Sequence, residues 1–316
     1  MPPTRIVVAG GTGLLGRALS DSLADGGHDV IVLTRHAPSV TIDPASAVTT
    51  HAGVRLAHWN PNGEAGPWVA FLDGAAAVVN LAGESIASGR WTAARKRRIR
   101  DSRLDATRTL VAGLAACTVP PSVFVSQSAV GYYGARGDER LTEEAPPGSD
   151  FMARLCAEWE AAARQGEAYV TRVVVMRTGL VLDREGGALP RMLLPFRLFA
   201  GGPLGSGCQY ISWIHLDDWV ALATAATDEA AIRGTVNATA PNPVTNREFA
   251  RTVGAVLGRP SWMPAPAIAL RAALGELADA LLLAGQRVVP ERALALGFRF
   301  RYADLRPALE SVLRRR

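Results

Sequence analysis

The chain opens with a short β-branched run that breaks into regularly spaced glycines. Residues 5–9 read R-I-V-V-A, glycines follow at 10, 13 and 16, and an amphipathic segment begins at once. Glycine permits a tight turn, bare backbone lets phosphate oxygens approach, and the next helix starts with unpaired N–H groups. Strand, G-x-x-G-x-x-G turn and helix in this order are typical of a dinucleotide site, although a structural turn would share the layout. The predicted diphosphate contacts are Gly10, Thr12, Gly13, Leu14, Leu15 and Gly16.

Length and composition fit one large α/β domain with a smaller one attached. The chain has 316 residues, of which 48% are hydrophobic, so it can bury a sizeable core. Nothing reads as a signal peptide or a bilayer span, and the apolar stretch 274–289 carries charges that favour a packed helix. The three cysteines are far apart and lack C-x-x-C spacing. They indicate reduced cytoplasmic thiols and no metal site.

Apolar runs alternate with helical patterns through the first half of the chain. Strands are predicted at 5–9, 29–33, 54–57, 75–81, 123–128 and 171–177, and helices at 14–23, 91–117 and 150–164. Such alternation implies a doubly wound parallel sheet of the Rossmann type, covered by helices on both faces. Ligands of these sheets bind beyond the carboxyl ends of the strands.

Beyond residue 180 the pattern loosens into loops and short helices. Helices are predicted at 217–227, 245–257, 266–284 and 307–313. We expect residues 1–180, with 208–240 returning, to form the nucleotide-binding domain. Residues 181–316 would form a smaller, mainly helical substrate lobe with a C-terminal helical domain at about 264–312.

The residue after the second strand favours NADP over NAD. An acidic residue at this tip accepts hydrogen bonds from the adenosine ribose, whereas this chain has Arg35, whose guanidinium suits a 2′-phosphate. The alternative is a solvated arginine at a strand end. Trp59 and Asn60 end the third strand, where adenine usually lies, although Trp59 could equally be core.

Several segments resemble the extended short-chain dehydrogenases/reductases of the epimerase/dehydratase type. They are N-L-A-G at 80–83, S-Q-S-A at 126–129, Y-Y-G at 132–134 and H-L-D-D at 215–218. A narrower set resembles the atypical "epimerase family" subgroup. Its segments are 80–86, 90–91, 131–134, 155–160, 201–207, 285–290 and 297–300. The resemblance spans essentially the whole chain and implies NADP binding and a small C-terminal domain of unknown function.

The family's usual chemistry uses a serine or threonine, a tyrosine and a lysine, and here the last two are altered. Ser128 matches the serine, although it could instead cap local backbone. Aligning R-L-x-x-E with the family's K-L-x-x-E puts Arg154 at the lysine and Asp150 at the tyrosine, on one helix face. Arginine hardly titrates, and Asp150 would need burial to work as an acid or base. An equally good interpretation is that Asp150 caps the helix and pairs with Arg154.

Tyr132 and Tyr133 are candidate replacements for the missing acid/base, or aromatic packing on the pocket wall. Glu84 could act as an acid/base or hold a ribose, and Arg103 could grip phosphates. The strand tips and the resemblance together assign a second set of cofactor contacts: Leu81, Ala82, Gly83, Glu84, Arg103, Arg154, Arg177 and Gly179. His215 beside two aspartates looks like a metal pair but fits a helix start better.

These observations predict an NADP-binding oxidoreductase or epimerase that acts on a small polar substrate. The alternative is a non-catalytic NADP-sensing protein that kept the cofactor site. The arginine-rich run 95–98 is expected to be a mostly solvated helix face, so no nucleic-acid partner is predicted. No membrane partner is predicted, because no apolar stretch is long and uncharged enough to span a bilayer. A monomer or homodimer in the cytoplasm is expected.

Overall fold

The computed structural model describes residues 4–35, 48–49, 53–87 and 89–314. The C-terminal residues Arg315 and Arg316 lie outside these ranges. Within these residues the strands are β1 Arg5–Ala9, β2 Asp29–Thr34, β3 Val48–Thr49, β4 Arg55–His58, β5 Ala77–Asn80, β6 Val123–Ala129, β7 Arg140–Leu141, β8 Arg172–Thr178, β9 Leu180–Leu182, β10 Tyr210–Ile211, β11 Trp213–His215, β12 Gly234–Ala238, β13 Val244–Thr245 and β14 Arg287–Val288.

Helices fill most of the connections. They are α1 Leu14–Asp25, α2 Val69–Leu72, α3 Ala93–Ala116, α4 Phe151–Arg164, α5 Leu189–Arg197, α6 Leu216–Asp228, α7 Asn246–Leu257, α8 Ala267–Leu274, α9 Glu276–Ala278, α10 Glu291–Ala295 and α11 Leu305–Arg314. Two 3₁₀ turns cover Val130–Tyr133 and Gln165–Ala168, and a π-helical turn covers Asp279–Leu283.

The main sheet has the order β12-β8-β6-β5-β1-β2-β4-β3. Its first seven strands run parallel, and β3 is antiparallel to β4 at the edge. The order changes direction at β1, so the crevice above the carboxyl ends of β1 and β5 is the switch point where such sheets bind ligands. The predicted doubly wound, Rossmann-type sheet is confirmed.

Strand β1 shows why both faces of the sheet are covered. Ile6 and Val8 belong to one apolar core, which also contains Leu19 of α1 and Trp219 of α6. Val7 belongs to the opposite core, with residues of α2 and α3. Side chains of a strand alternate between its faces, so a continuous apolar strand needs a helical layer on each side.

Two differences from the sequence prediction in the second half bear on the main sheet and on the C-terminal region. Residues 234–238, for which no strand was predicted, form β12 and extend the sheet beside β8. The predicted helix over 266–284 is broken at Gly275, which has a φ of +62°. Only α8, α9 and the π-helical turn remain there, and β14 follows, so the packed helix predicted for 274–289 is wrong. A third apolar core joins α5, α7 and α11 in this half.

Candidate functional site

The glycine turn between β1 and α1 is built by close backbone contacts. Gly10 has a φ of +81°, and a Cβ on it would lie 2.7 Å from backbone atoms of Leu81 and Ala82. A Cβ on Gly16 would lie 2.3 Å from the carbonyl oxygen of Gly10. Both positions therefore require glycine for packing alone, whatever the turn binds.

Gly13 is different, because a Cβ there would come no closer than 3.5 Å to any neighbour. It is the N-cap of α1, without a side-chain cap or an acidic residue in the first turn. Thr12 and Gly13 are exposed, whereas Leu14 and Leu15 are half-buried. The open, uncapped end of α1 therefore presents N–H donors and a positive dipole end to the crevice, which fits a diphosphate.

The neighbouring strand tips carry the predicted adenosine contacts. Arg35 is exposed directly after β2. Asn60 is also exposed, but Trp59 is buried in the core with its ring 5.8 Å from that of Trp68, edge to face. Contact of adenine with Trp59 and Asn60 stays a prediction.

The segment 81–84 follows β5, and within it Gly83 and Glu84 contact α3. A Cβ on Gly83 would lie 3.2 Å from Cγ of Arg103, whose guanidinium lies 5.2 Å from the ring centre of Trp159. Burial lowers the pKa of Arg103. The Glu84 carboxylate forms ion pairs with Arg95 and Arg98. Arg95 is buried and Lys96 half-buried, whereas Arg97 and Arg98 are exposed, so the run is only in part the solvated face that the sequence predicts.

Ser128, at the carboxyl end of β6, belongs to a buried charge network. Its Oγ donates to Glu160 Oε1 at 2.7 Å. Arg177 grips the same carboxylate through Nε (2.8 Å) and Nη2 (2.9 Å). Burial lowers the pKa of Arg177, but the hydrogen bonds and charge of Glu160 outweigh it, so the net shift is upward. Because the Ser128 proton points at Glu160, its oxygen is left as an acceptor.

The two tyrosines of the 3₁₀ turn occupy different environments. The Tyr133 hydroxyl is fully buried, donates to Asn237 Oδ1 at 2.7 Å and accepts from Arg177 Nη1 at 3.0 Å. Burial raises the pKa of Tyr133 to about 12. Tyr132 is only half-buried, and the Arg177 guanidinium lies 3.4 Å from its ring centre. Within the described residues no hydrogen bond occupies the Tyr132 hydroxyl.

The face of α4 toward this strand tip carries Met152, Cys156 and Glu160, four residues apart. A Cβ on Gly131 would lie 3.3 Å from Met152 Cβ and 4.0 Å from Cys156 Sγ. Burial raises the pKa of Cys156 to about 12, and the Ser128 side chain lies within hydrogen-bonding reach of its thiol. Neither a phenol nor an ammonium stands on this face.

Asp150 and Arg154 lie on another face of the same helix. Asp150 is the N-cap of α4 and accepts the Ala153 N–H at 2.9 Å, and Arg154 donates to the Ser149 carbonyl. The structure therefore brings Ser128, Tyr132, Tyr133 and Arg177 together. Asp150 and Arg154 do not bond to this group, although the Asp150 carboxylate lies beside Gly134, where a Cβ would be 3.2 Å from Oδ2. Their catalytic roles, and the cofactor role of Arg154, stay predictions.

Three polar residues of the network were missed by the sequence reasoning: Glu160, Glu143 and Asn237. Asn237 also donates to the Val289 carbonyl, and its own N–H donates to Glu143. Glu143 in turn accepts the backbone N–H of Arg292. Glu160 could have been found from its i, i+4 spacing to Cys156, whereas the others had no local signal. Gly179, directly after β8, packs against Ser212, where a Cβ would lie 2.4 Å from the Ser212 carbonyl oxygen.

His215 and the following aspartates behave as a helix start. The His215 Nδ1 accepts the Asp217 N–H at 3.0 Å, and Asp218 accepts two backbone N–H groups, those of Arg301 and Tyr302. Among the described residues no group of three or more His, Cys, Asp or Glu is arranged to hold a metal ion. Nor does any helix in the described ranges have the length and apolar character needed to cross a bilayer.

Comparison with known proteins gives the family. Residues 6–238 match the NAD dependent epimerase/dehydratase family, and residues 265–312 match a domain of unknown function (DUF1731). "Epimerase family protein SDR39U1 homolog, chloroplastic" from Arabidopsis thaliana is 42% identical over 311 residues, covering 98% of this chain and 86% of that protein. "Epimerase family protein Mb2239" from Mycobacterium bovis is 40% identical, with 96% of each chain covered.

A solved structure is similar along its whole length. The human epimerase family protein SDR39U1 (isoform 2), crystallised with NADPH, has a TM-score of 0.83 and 35% identity. The match covers 98% of this chain and 99% of that chain. The predicted resemblance is confirmed, and the chain belongs to the NAD dependent epimerase/dehydratase family.

Proposed function

We propose that this protein binds NADP(H) in the crevice above β1, β2 and β5. The observation that carries the proposal is the uncapped amino end of α1, which has room at Gly13 and no acidic residue in its first turn. Exposed Thr12 and Gly13 would hold the diphosphate through backbone N–H groups. The similar human protein with bound NADPH supports the same cofactor.

Arg35 would select the phosphorylated coenzyme. Its exposed guanidinium follows β2, where the 2′-phosphate of the adenosine ribose would lie. Titration calorimetry with NADPH and NADH should show tighter NADPH binding. Arg35→Asp should reduce the ratio of the NADH and NADPH dissociation constants by about tenfold or more. Arg108→Asp, an exposed site on α3, makes the same charge change and should leave the preference intact. Equal affinities in the unaltered protein would refute this selection.

We further propose hydride transfer between the coenzyme and a small polar substrate, the nicotinamide supplying or accepting the hydride. Tyr132 is the proposed proton donor. Its hydroxyl has no protein partner among the described residues, and the Arg177 guanidinium, 3.4 Å from its ring centre, holds the ring in place at the end of β6. Tyr133 is a poorer choice, because its hydroxyl is already bonded to Asn237 and Arg177.

A second candidate function is NADP(H) sensing without turnover. It is favoured by Ser128, which is fully buried and gives its only hydroxyl proton to Glu160. A serine held in this way can accept a hydrogen bond but does not donate one to a substrate carbonyl.

Isotope transfer separates the two functions. The protein is incubated with NADPH deuterated at the nicotinamide C4 and a mixture of carbonyl compounds that includes nucleotide-linked keto-sugars, and products are read by mass spectrometry. Turnover predicts deuterium in one product, with loss of roughly a hundredfold or more in Tyr132→Phe and NADPH affinity unchanged. Tight NADPH binding without deuterium in any product would favour sensing.

Other predictions accompany this proposal. The division into a nucleotide-binding domain (1–180 with 208–240) and a substrate lobe (181–316) stays a prediction. So do the cytoplasmic location and the monomeric or homodimeric state.

A further inference from the structure

Two segments far apart in sequence form one surface of the substrate lobe. Residues 189–207 and 258–275 lie side by side, joined by backbone hydrogen bonds from Met263 N to Gly201 O (3.1 Å) and from Ala265 N to Pro203 O (2.9 Å). A Cβ on Gly202 would lie 2.1 Å from the Met263 carbonyl oxygen, so the approach is close. We call the exposed side of these two segments the cationic apolar face.

This face collects large apolar side chains in water. The described residues expose ten large hydrophobic side chains, and six of them belong here: Leu194, Leu198, Phe199, Trp262, Met263 and Ile268. Trp262 is 65% exposed and Ile268 81%. Helix α8 is apolar, yet it buries none of its residues. Scattered exposed hydrophobics need no explanation, but a concentration of them marks an interaction surface.

Phe199 is held outward at a conformational cost. Its φ of +60° is the only positive φ among the described residues other than glycine. A bulky residue in this region is unfavourable and persists only where the surrounding structure imposes it. The Phe199 ring is 55% exposed, and the Arg259 guanidinium lies 4.4 Å from its centre. The fold thus maintains an exposed aromatic beside a cation.

The charge of the face has one sign. The two segments contain four arginines, Arg191, Arg197, Arg259 and Arg271, and neither contains an aspartate or a glutamate. After the second segment, Glu276 pairs with Lys96, and Asp279 pairs with Arg271 and compensates its charge. The positive charge of the face therefore comes from Arg191, Arg197 and Arg259. Aromatic and aliphatic side chains among arginines are the composition of surfaces that lie in a membrane interface.

We propose that the cationic apolar face docks the protein on a membrane surface rich in anionic lipids. A second copy fits less well, because a two-fold interface would set the same arginines against each other. An anionic lipid surface can bind both kinds of side chain, because acyl chains contact the apolar groups and lipid phosphates bind the guanidinium groups. The sequence predicts no membrane partner because no stretch spans a bilayer, and this face forms only when the two segments meet.

Trp262 offers a specific reporter of docking. The other six tryptophans are buried, none more than 8% exposed, so a change in emission on vesicle binding reports chiefly on Trp262. The full chain is mixed with vesicles of phosphatidylcholine, or of phosphatidylcholine with phosphatidylglycerol. We expect co-sedimentation and a blue shift with the anionic vesicles, quenching by brominated acyl chains, and release at high salt.

Variants locate the docking face. Phe199→Asn keeps a residue that tolerates positive φ and should weaken vesicle binding about tenfold. Arg197→Gln should weaken it about fivefold, for anionic vesicles only. Leu296→Asn removes an exposed apolar side chain outside the face and should have no effect. The proposal would be overturned if the protein failed to co-sediment with anionic vesicles or bound neutral vesicles equally well. It would also be overturned if the protein self-associated in solution and Phe199→Asn abolished that self-association.

Discussion

Replacing Glu160 by alanine is expected to destabilise the protein by about 4–6 kcal/mol. The substitution leaves the buried Arg177 guanidinium without its anion, and breaking a buried pair from one side costs about 3–5 kcal/mol. Ser128 also loses its acceptor, which adds about 1 kcal/mol. Arg177 keeps its bonds to Tyr133 and to the Glu143 carbonyl, so we expect the lower part of this range.

Urea unfolding followed by tryptophan fluorescence and circular dichroism measures the effect. Glu158 provides a matched control on the same helix, because its pair with Arg100 is exposed although its distance is also short, at 2.7 Å. Exposed pairs contribute about 0–1 kcal/mol, so Glu158→Ala should cost little. The double variant Glu160→Ala/Arg177→Met removes both charges and should be more stable than Glu160→Ala alone.

Two results would contradict this reasoning. One is a cost for Glu160→Ala no larger than that for Glu158→Ala. The other is strict additivity, with Arg177→Met destabilising the Glu160→Ala protein as much as it destabilises the unaltered one. Either would mean that solvent, and not the carboxylate, compensates the Arg177 charge.

Three other predictions follow from the site. Gly13→Ala should cost less than about 1 kcal/mol of stability yet weaken NADPH binding. Gly16→Ala should lower both the stability and the NADPH affinity, since its Cβ meets backbone at 2.3 Å. Thermal shift with and without NADPH distinguishes the effect on stability from the effect on binding. Burial raises the pKa of Cys156 from 9.0 to about 12 and that of Tyr133 from 10.0 to about 12. Above pH 9 the folded state thus keeps protons that the unfolded chain releases. The free energy of unfolding should therefore have its full value below pH 9 and decrease as the pH rises toward 12. The decrease should be less steep in Cys156→Ala, which has one such group fewer. Asp150→Ala should cost about 1 kcal/mol by removing a cap and leave NADPH affinity unchanged, and loss of NADPH binding would contradict a role limited to capping the helix.

The parallel sheet could be predicted because its signals are local. Strands β1, β2, β5, β6 and β8 each contain a run of three or more apolar residues, and the glycines after β1 follow directly in sequence. The edge strand β12 could not, because its sequence G-T-V-N-A is half polar and each of its residues pairs with a residue of β8 that lies 60 positions upstream. The break at Gly275 was also missed, since helical periodicity on both sides hides one residue of positive φ.

The candidate site divides in the same way. The proposed diphosphate site, residues 10–16, is one continuous segment, so its glycines could be identified from the sequence. A Cβ on Gly10 or Gly16 would meet backbone atoms, as expected in a tight turn. The buried network is not continuous, because Glu160, Glu143 and Asn237 come from three separate elements. A glutamate in W-E-A-A-A reads as a solvated helix residue, and only the opposing Arg177 reveals that it is buried.

The rotation of α4 decides what chemistry the site can support. Sequence alignment favours the face of Asp150 and Arg154, yet a shift of two residues turns a helix by roughly 200°. The structure turns Met152, Cys156 and Glu160 toward Ser128, so α4 supplies no counterpart of the usual phenol and ammonium. Under the proposed function, the proton for hydride transfer comes from the β6 side of the crevice, where Tyr132 lies under Arg177. Retention of deuteride transfer in Asp150→Ala, together with its loss in Tyr132→Phe, would be the direct sign of that relocation.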